Sequence, residues 1–167
     1  MSKLYVDEIY PKTTGGDITA PSLVLPAGSV VQTVFFETST QVQITSTTKG
    51  SGTETGVQAT ITPHSSSNKL LIQVNLHVTD TAYTPDSHIS LELHDGTSIV
   101  WTDEAAAYYH NASGDEAFRQ RASFIAYIDA PSSATTYKVR AFKSSSGTFY
   151  TQRDSNPGAI VIQEIQQ

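Results

Sequence analysis

An all-β fold is what this 167-residue chain predicts: an antiparallel β-sandwich or jelly-roll-like head behind an extended N-terminal segment. Three observations carry that expectation. Apolar and polar residues alternate at period two, most clearly where Leu70, Ile72, Val74, Leu76 and Val78 are interleaved with Gln73, Asn75 and His77. Such a stretch buries one face of a strand. Short polar runs rich in Gly, Pro, Asn, Asp and Ser separate the alternating stretches, as turns do. Ser and Thr make up roughly a quarter of the chain while charged residues are only 16%, and Thr, Val, Ile, Tyr and Phe suit pleated surfaces.

The strands follow in order. Val30–Glu37 opens the head, then Gln41–Ser46, where Val42 and Ile44 alternate, and Val57–Thr62, which stops at Pro63. Lys69–Thr79 is the longest clean alternation. Ile89, Leu91 and Leu93 repeat it up to Asp95-Gly96, a hairpin signal, and Ser98–Trp101 returns. Phe118–Ile128, the stretch around Tyr137, Val139 and Ala141, Gly147–Gln152 and Ala159–Ile165 complete the set. Asp103–Ala117 reads as the longest polar connection within the head, and Asp103–Tyr109 inside it is either a short helix or a loop.

Residues 1–28 behave differently. Leu4, Val6, Ile9, Ile18, Leu23 and Leu25 are apolar, but Pro11, Gly15-Gly16, Pro21 and Pro26 interrupt them. Burying an aliphatic side chain contributes roughly 1.5–3 kcal/mol, and fixing each backbone residue costs about 1–2 kcal/mol. So few anchors do not order the segment alone; other chains must cover it. The expected division is 1–28 as an anchoring and oligomerisation segment and 29–167 as the head, with Leu4, Val6, Ile9, Leu23 and Leu25 as the anchor side chains.

Charge and composition narrow the function. A net charge of −6 argues against a broad nucleic-acid-binding face. Without cysteine there are no disulfides or thiolate metal sites. No apolar run approaches the ~20 residues of a membrane helix, and the acidic start is no signal peptide, so synthesis in a cytoplasm without membrane insertion is expected. The five histidines form no HxH or HExxH, and no GxSxG occurs. The carboxylate doublets Asp103-Glu104 and Asp115-Glu116 lack the glycine-punctuated spacing of a calcium loop. No catalytic residue, metal or cofactor is therefore expected.

Four stretches resemble the small fibre and virion-appendage proteins of tailed bacteriophages of the cyanophage and marine type. They are LYVDEIYPKTTGGDIT at the N-terminus, PAGSVVQTVFF at the entry to the head, ITPHSSSNKLLIQVNL at the turn and long strand, and GAIVIQEIQQ at the close. The resemblance implies a trimeric all-β virion protein made in the host bacterial cytoplasm. It would be held to tail, adaptor or capsid proteins through residues 1–28 and take part in host attachment. A capsid decoration protein that stabilises the shell is the alternative, and a small carbohydrate-active enzyme a more distant one. On this reading the loops meet a host glycan or protein. Trp101, Tyr108, Tyr109 and His110, with Asp103 and Glu104, supply rings and acceptors for sugar hydroxyls, and Tyr83 in Asp80–Ser87 is a second candidate. The basic residues Arg119, Arg121, Lys138, Arg140, Lys143 and Arg153 form an outward strand face or an ion-pair face between subunits.

Overall fold

The computed structural model describes residues 25–81, 86–109, 118–144 and 147–167. Leu4, Val6, Ile9 and Leu23, together with Tyr83 and His110, lie outside these residues. Among the described residues there are ten strands: β1 (Val30–Thr38), β2 (Val42–Ile44), β3 (Thr53–Ile61), β4 (Lys69–Asp80), β5 (Ser87–His94), β6 (Ile99–Tyr109), β7 (Phe118–Asp129), β8 (Thr135–Lys143), β9 (Phe149–Thr151) and β10 (Gly158–Ile165). The one helical turn among the described residues is a 3-10 turn at Arg153–Ser155.

All pairings are antiparallel. In sheet A, β7 and β10 flank β4, and β1 lies beyond β10; β9 continues the line of β10 along β4, and β2 continues the line of β1. Sheet B runs β3, β8, β5, β6. Counting each tandem pair as one position, both layers are four strands wide. The orders β1-β10-β4-β7 and β3-β8-β5-β6 are those of a jelly roll.

The core lies between the layers and follows the alternation. Leu70, Ile72, Leu76 and Val78 of β4 and Ile160 and Ile162 of β10 meet Ile89, Leu91 and Leu93 of β5 and Val139 of β8, all fully buried. Tyr137 joins them, and burial pushes its phenol up to about 12. The polar turn between β3 and β4 is clasped by Glu164, itself fully buried. Its carboxylate accepts from Gln32 Nε2 at 2.7 Å, His64 N at 2.9 Å, Ser65 N at 3.2 Å and Asn68 Nδ2 at 2.7 Å, with His64 Nδ1 at 3.0 Å. Burial alone raises this carboxyl, but the donors outweigh it and hold the group at about 2.

One expectation needs correction. Residues 103–109 are neither helix nor loop but the second half of β6, and its polar connection begins only after Tyr109. The Glu-Ala-Ala-Ala run favours a helix locally, yet pairing along β5 overrides it. The cost is a bulge: Ile89 pairs with Ala107 and Leu91 with Asp103, and Ala105 takes φ +55°, its N–H donating to Ser90 Oγ at 3.0 Å. Of the basic residues, Lys138, Arg140 and Arg119 show the outward strand face. Lys138 and Arg140 both meet Glu54, at 3.2 and 3.0 Å, and Arg119 meets Asp154 at 3.1 Å, all within the chain.

Candidate recognition surface at the loop end

Strand β4 sets the two ends of the head. At Lys69 it pairs with the last residue of β7 and with Ile165, which is also the partner of Val30. Gly28 N donates to Gln166 O at 2.8 Å and Gln166 N to Ser29 O at 2.9 Å, so residues 25–28 lead into β1 here. At Asp80, β4 meets the first residues of β7 and β9. The end of β6 pairs with the start of β5, and the end of β8 lies beside Ile89. The connections 45–52, 81–86, 110–117 and 144–148 therefore all leave from the Asp80 end. Eleven strand steps, about 36 Å, separate it from the Lys69 end.

The roots of these connections are braced. Fully buried Asp80 accepts from Ser87 Oγ at 2.8 Å and Thr148 N at 3.1 Å. Thr81 N donates to Thr148 O at 2.9 Å, and Ser144 N to His88 O at 2.9 Å. Gly147 is needed for two reasons: its φ is +95°, and a Cβ there would stand 2.7 Å from the Phe149 ring. A braced frame thus carries these connections, the arrangement by which loops on a rigid scaffold recognise partners.

Beside those roots the outer face of sheet B presents a polar, partly aromatic surface. Tyr108 pairs with His88 across the strands, and their rings stack at 6.2 Å with 14° between planes. The Tyr108 hydroxyl donates to Asp86 Oδ1 at 3.1 Å, which raises its pKa above the usual value and keeps it a neutral donor. Nearby, Lys49 meets Glu104 at 2.8 Å and holds that carboxyl below its usual range. The pair fastens the 45–52 turn over the sheet, where buried Glu92 accepts from Gly50 N at 2.6 Å and lies 3.2 Å from His94 Nε2. A Cβ on Gly52 would sit 2.9 Å from Glu92 Oε2 and 3.0 Å from Arg140 Cβ. Gly52→Ala is expected to cost about 1–3 kcal/mol through this crowding, read as a lower urea midpoint with an unchanged slope.

The structure divides the residues singled out from the sequence. Tyr108 and Glu104 belong to this surface. Trp101 does not: it pairs with Leu93, so it shares the core side of sheet B at its edge, 40% exposed, about 17 Å along the strand from Tyr108. Asp103, opposite Leu91, is on that same side. Tyr109 ends β6 opposite Ser87. His88, Asp86 and Lys49 were not foreseen as Tyr108 and Glu104 partners; alternation places His88 on an outward strand face, but only the register places it under Tyr108. Among the described residues no group of three or more His, Cys, Asp or Glu is arranged to hold a metal ion, and no helix is long and apolar enough to cross a membrane. The surface offers two stacked rings ringed by donors and acceptors, chemistry that suits hydroxyl-bearing or planar polar groups.

No family model matches the chain, and no curated protein does. Among solved structures it is similar to that of infectious bursal disease virus Gx strain, at 14% identity and TM-score 0.47, over 90% of this chain and 36% of that one. It is also similar to the infectious bursal disease virus VP2 subviral particle, at 14% identity and TM-score 0.46, over 90% and 37%. A further match is dimeric latent PorU from Porphyromonas gingivalis, at 10% identity and TM-score 0.41, over 85% and 14%. The chain spans about a third or less of the length of these structures.

Proposed function

We propose that this chain is a structural protein of a virus particle. In this reading it is a short knob that is attached through residues 1–28 and turns its Asp80 end toward the host cell. One observation carries the reading: residues 25–28 lead into the jelly roll at one end, while four connections and the Tyr108–His88 surface belong to the other. A body with a tether at its base and recognition loops at its tip is what a short appendage requires. It acts by binding, without catalysis or cofactor. The copies associate, as a trimer on the resemblance to phage appendages, with residues 1–28 covered by partner virion proteins.

Gold-labelled antibody against the purified protein tests this on intact particles. Label confined to the tail or its attachment site supports the knob. Label spread over the whole shell moves the protein to capsid decoration, and absence from particles overturns the virion reading. For the recognition surface, replacing Tyr108 and His88 together by Ala is expected to weaken adsorption to host cells at least tenfold. The melting temperature should stay within about 3 °C, the scale of a sub-kcal/mol surface change. Parental adsorption by this variant sinks the assignment of the surface.

A further inference from the structure

We propose that copies of this chain meet on the outer face of sheet A, the β1 rim of one set against the β7 rim of the next. The inference rests on the self-association stated above and adds where it happens. Sheet B is roofed by the chain's own 45–52 turn, whereas the outer face of sheet A carries exposed rings and aliphatics. Phe35, Val161, Gln73 and Ile125 form one row across its four strands. Phe35 is 59% exposed, Ile125 61% and Tyr127 54%. Between the rims runs a groove of about 290 Å³ floored by Gln73, Asn75, Ser123 and Ala159. One face thus carries both knobs and a hollow to receive them.

The charges say why the occupant is another copy. The chain as a whole carries −6, so copies repel, but this face is balanced. Lys69 and Asp129 pair with each other, Glu37 stands on the β1 rim and Arg121 near the β7 rim. Arg121 donates to two neutral oxygens, Asn75 Oδ1 at 3.1 Å and Pro157 O at 2.8 Å, so its charge still seeks an acid. In a ring of three with the sheet A faces toward the axis, each Glu37 rim approaches the next Arg121 rim, and Phe35 approaches Ile125. The central Gln73 is an amide, donor and acceptor at once, and pairs with its own kind. Four strands about 4.8 Å apart and some 24 Å long present about 450 Å² in plan. In a ring each face is shared between two neighbours, so each contact buries about 450 Å² in total, the size of weak, concentration-dependent interfaces, and closing the ring engages three such contacts together.

Sedimentation velocity of the full chain from 1 to 100 μM is the test. Parent protein should pass from monomer to oligomer across this range. Phe35→Ser with Ile125→Asp should leave the circular dichroism spectrum unchanged, both side chains being exposed, and raise the apparent dissociation constant at least tenfold. Glu37→Arg or Arg121→Glu alone should weaken association, and the two together should restore it, an outcome a folding defect does not produce. A parent that stays monomeric at 100 μM overturns both the self-association and this interface. A parent that associates but ignores the Phe35/Ile125 change, or shows no rescue by the double charge reversal, overturns this interface alone.

Discussion

Replacing Glu164 by Ala is expected to lower the stability of the head by about 3–5 kcal/mol, the cost of leaving several buried donors without an acceptor. Against the ~5–15 kcal/mol of an ordinary domain that is severe, and it corresponds to roughly 10–20 °C in melting temperature. The donors stranded are the backbone N–H groups of His64 and Ser65 and the amide of Asn68, which is itself buried. The same carboxylate makes the head acid-sensitive in a defined window. Its folded pKa of about 2 lies below the 4.5 of a free glutamate, so the ionised form favours the folded state. That contribution, about 3 kcal/mol, is fully present above pH 4.5 and is lost as pH falls toward 2. Melts of the parent across pH 7 to 2 should show the loss, and melts of Glu164→Gln should be flatter over the same range. A Glu164→Ala variant melting within about 3 °C of the parent would falsify the clasp.

The largest functional effect is expected from removing residues 1–28. A chain beginning at Ser29 keeps every strand and the whole described core, and loses the Gly28–Gln166 hydrogen bond. One exposed bond is worth about 0.5–1.5 kcal/mol, so the melting temperature should drop by no more than about 5 °C. Incorporation into particles should fall more than tenfold, measured by immunoblot of purified virions from cells supplying only the truncated form. Normal incorporation would place the attachment on the head itself.

Much of the architecture was legible because alternation is a local property. Leu70 through Val78 announced both β4 and the side it buries, and the same holds for Ile89–Leu93 and for the closing strand. What alternation does not encode is which strand lies beside which. That β4 would sit between β7 and β10 depends on partners about 50 and 90 residues away, a long-range choice with no local signature. The recognition surface suffered from the same limit. The adjacent pair Tyr108 and Tyr109 was legible as putting one ring outward, without saying which, and Trp101 was grouped with them by sequence proximity. A strand in place of the assumed loop puts Trp101 and Tyr108 on opposite sides of β6 and toward opposite ends of it. Glu164 was not singled out, because its partners come from a turn 100 residues earlier.

The pairing of β1 with β10 has a consequence for how the protein is made. The head's first strand finds its partner in its last, so a nascent chain exposes β1 as an unpaired edge until about 130 further residues have emerged. At ordinary translation speeds that delay is on the order of 10 s, ample time for a bare edge to recruit wrong neighbours. Closure of sheet A therefore waits on β10, and the Gly28–Gln166 and Gln166–Ser29 hydrogen bonds that fix the entry to β1 form only at that moment. Closure of this one strand pair thus separates heads that hold all ten described strands from fragments that lack β10.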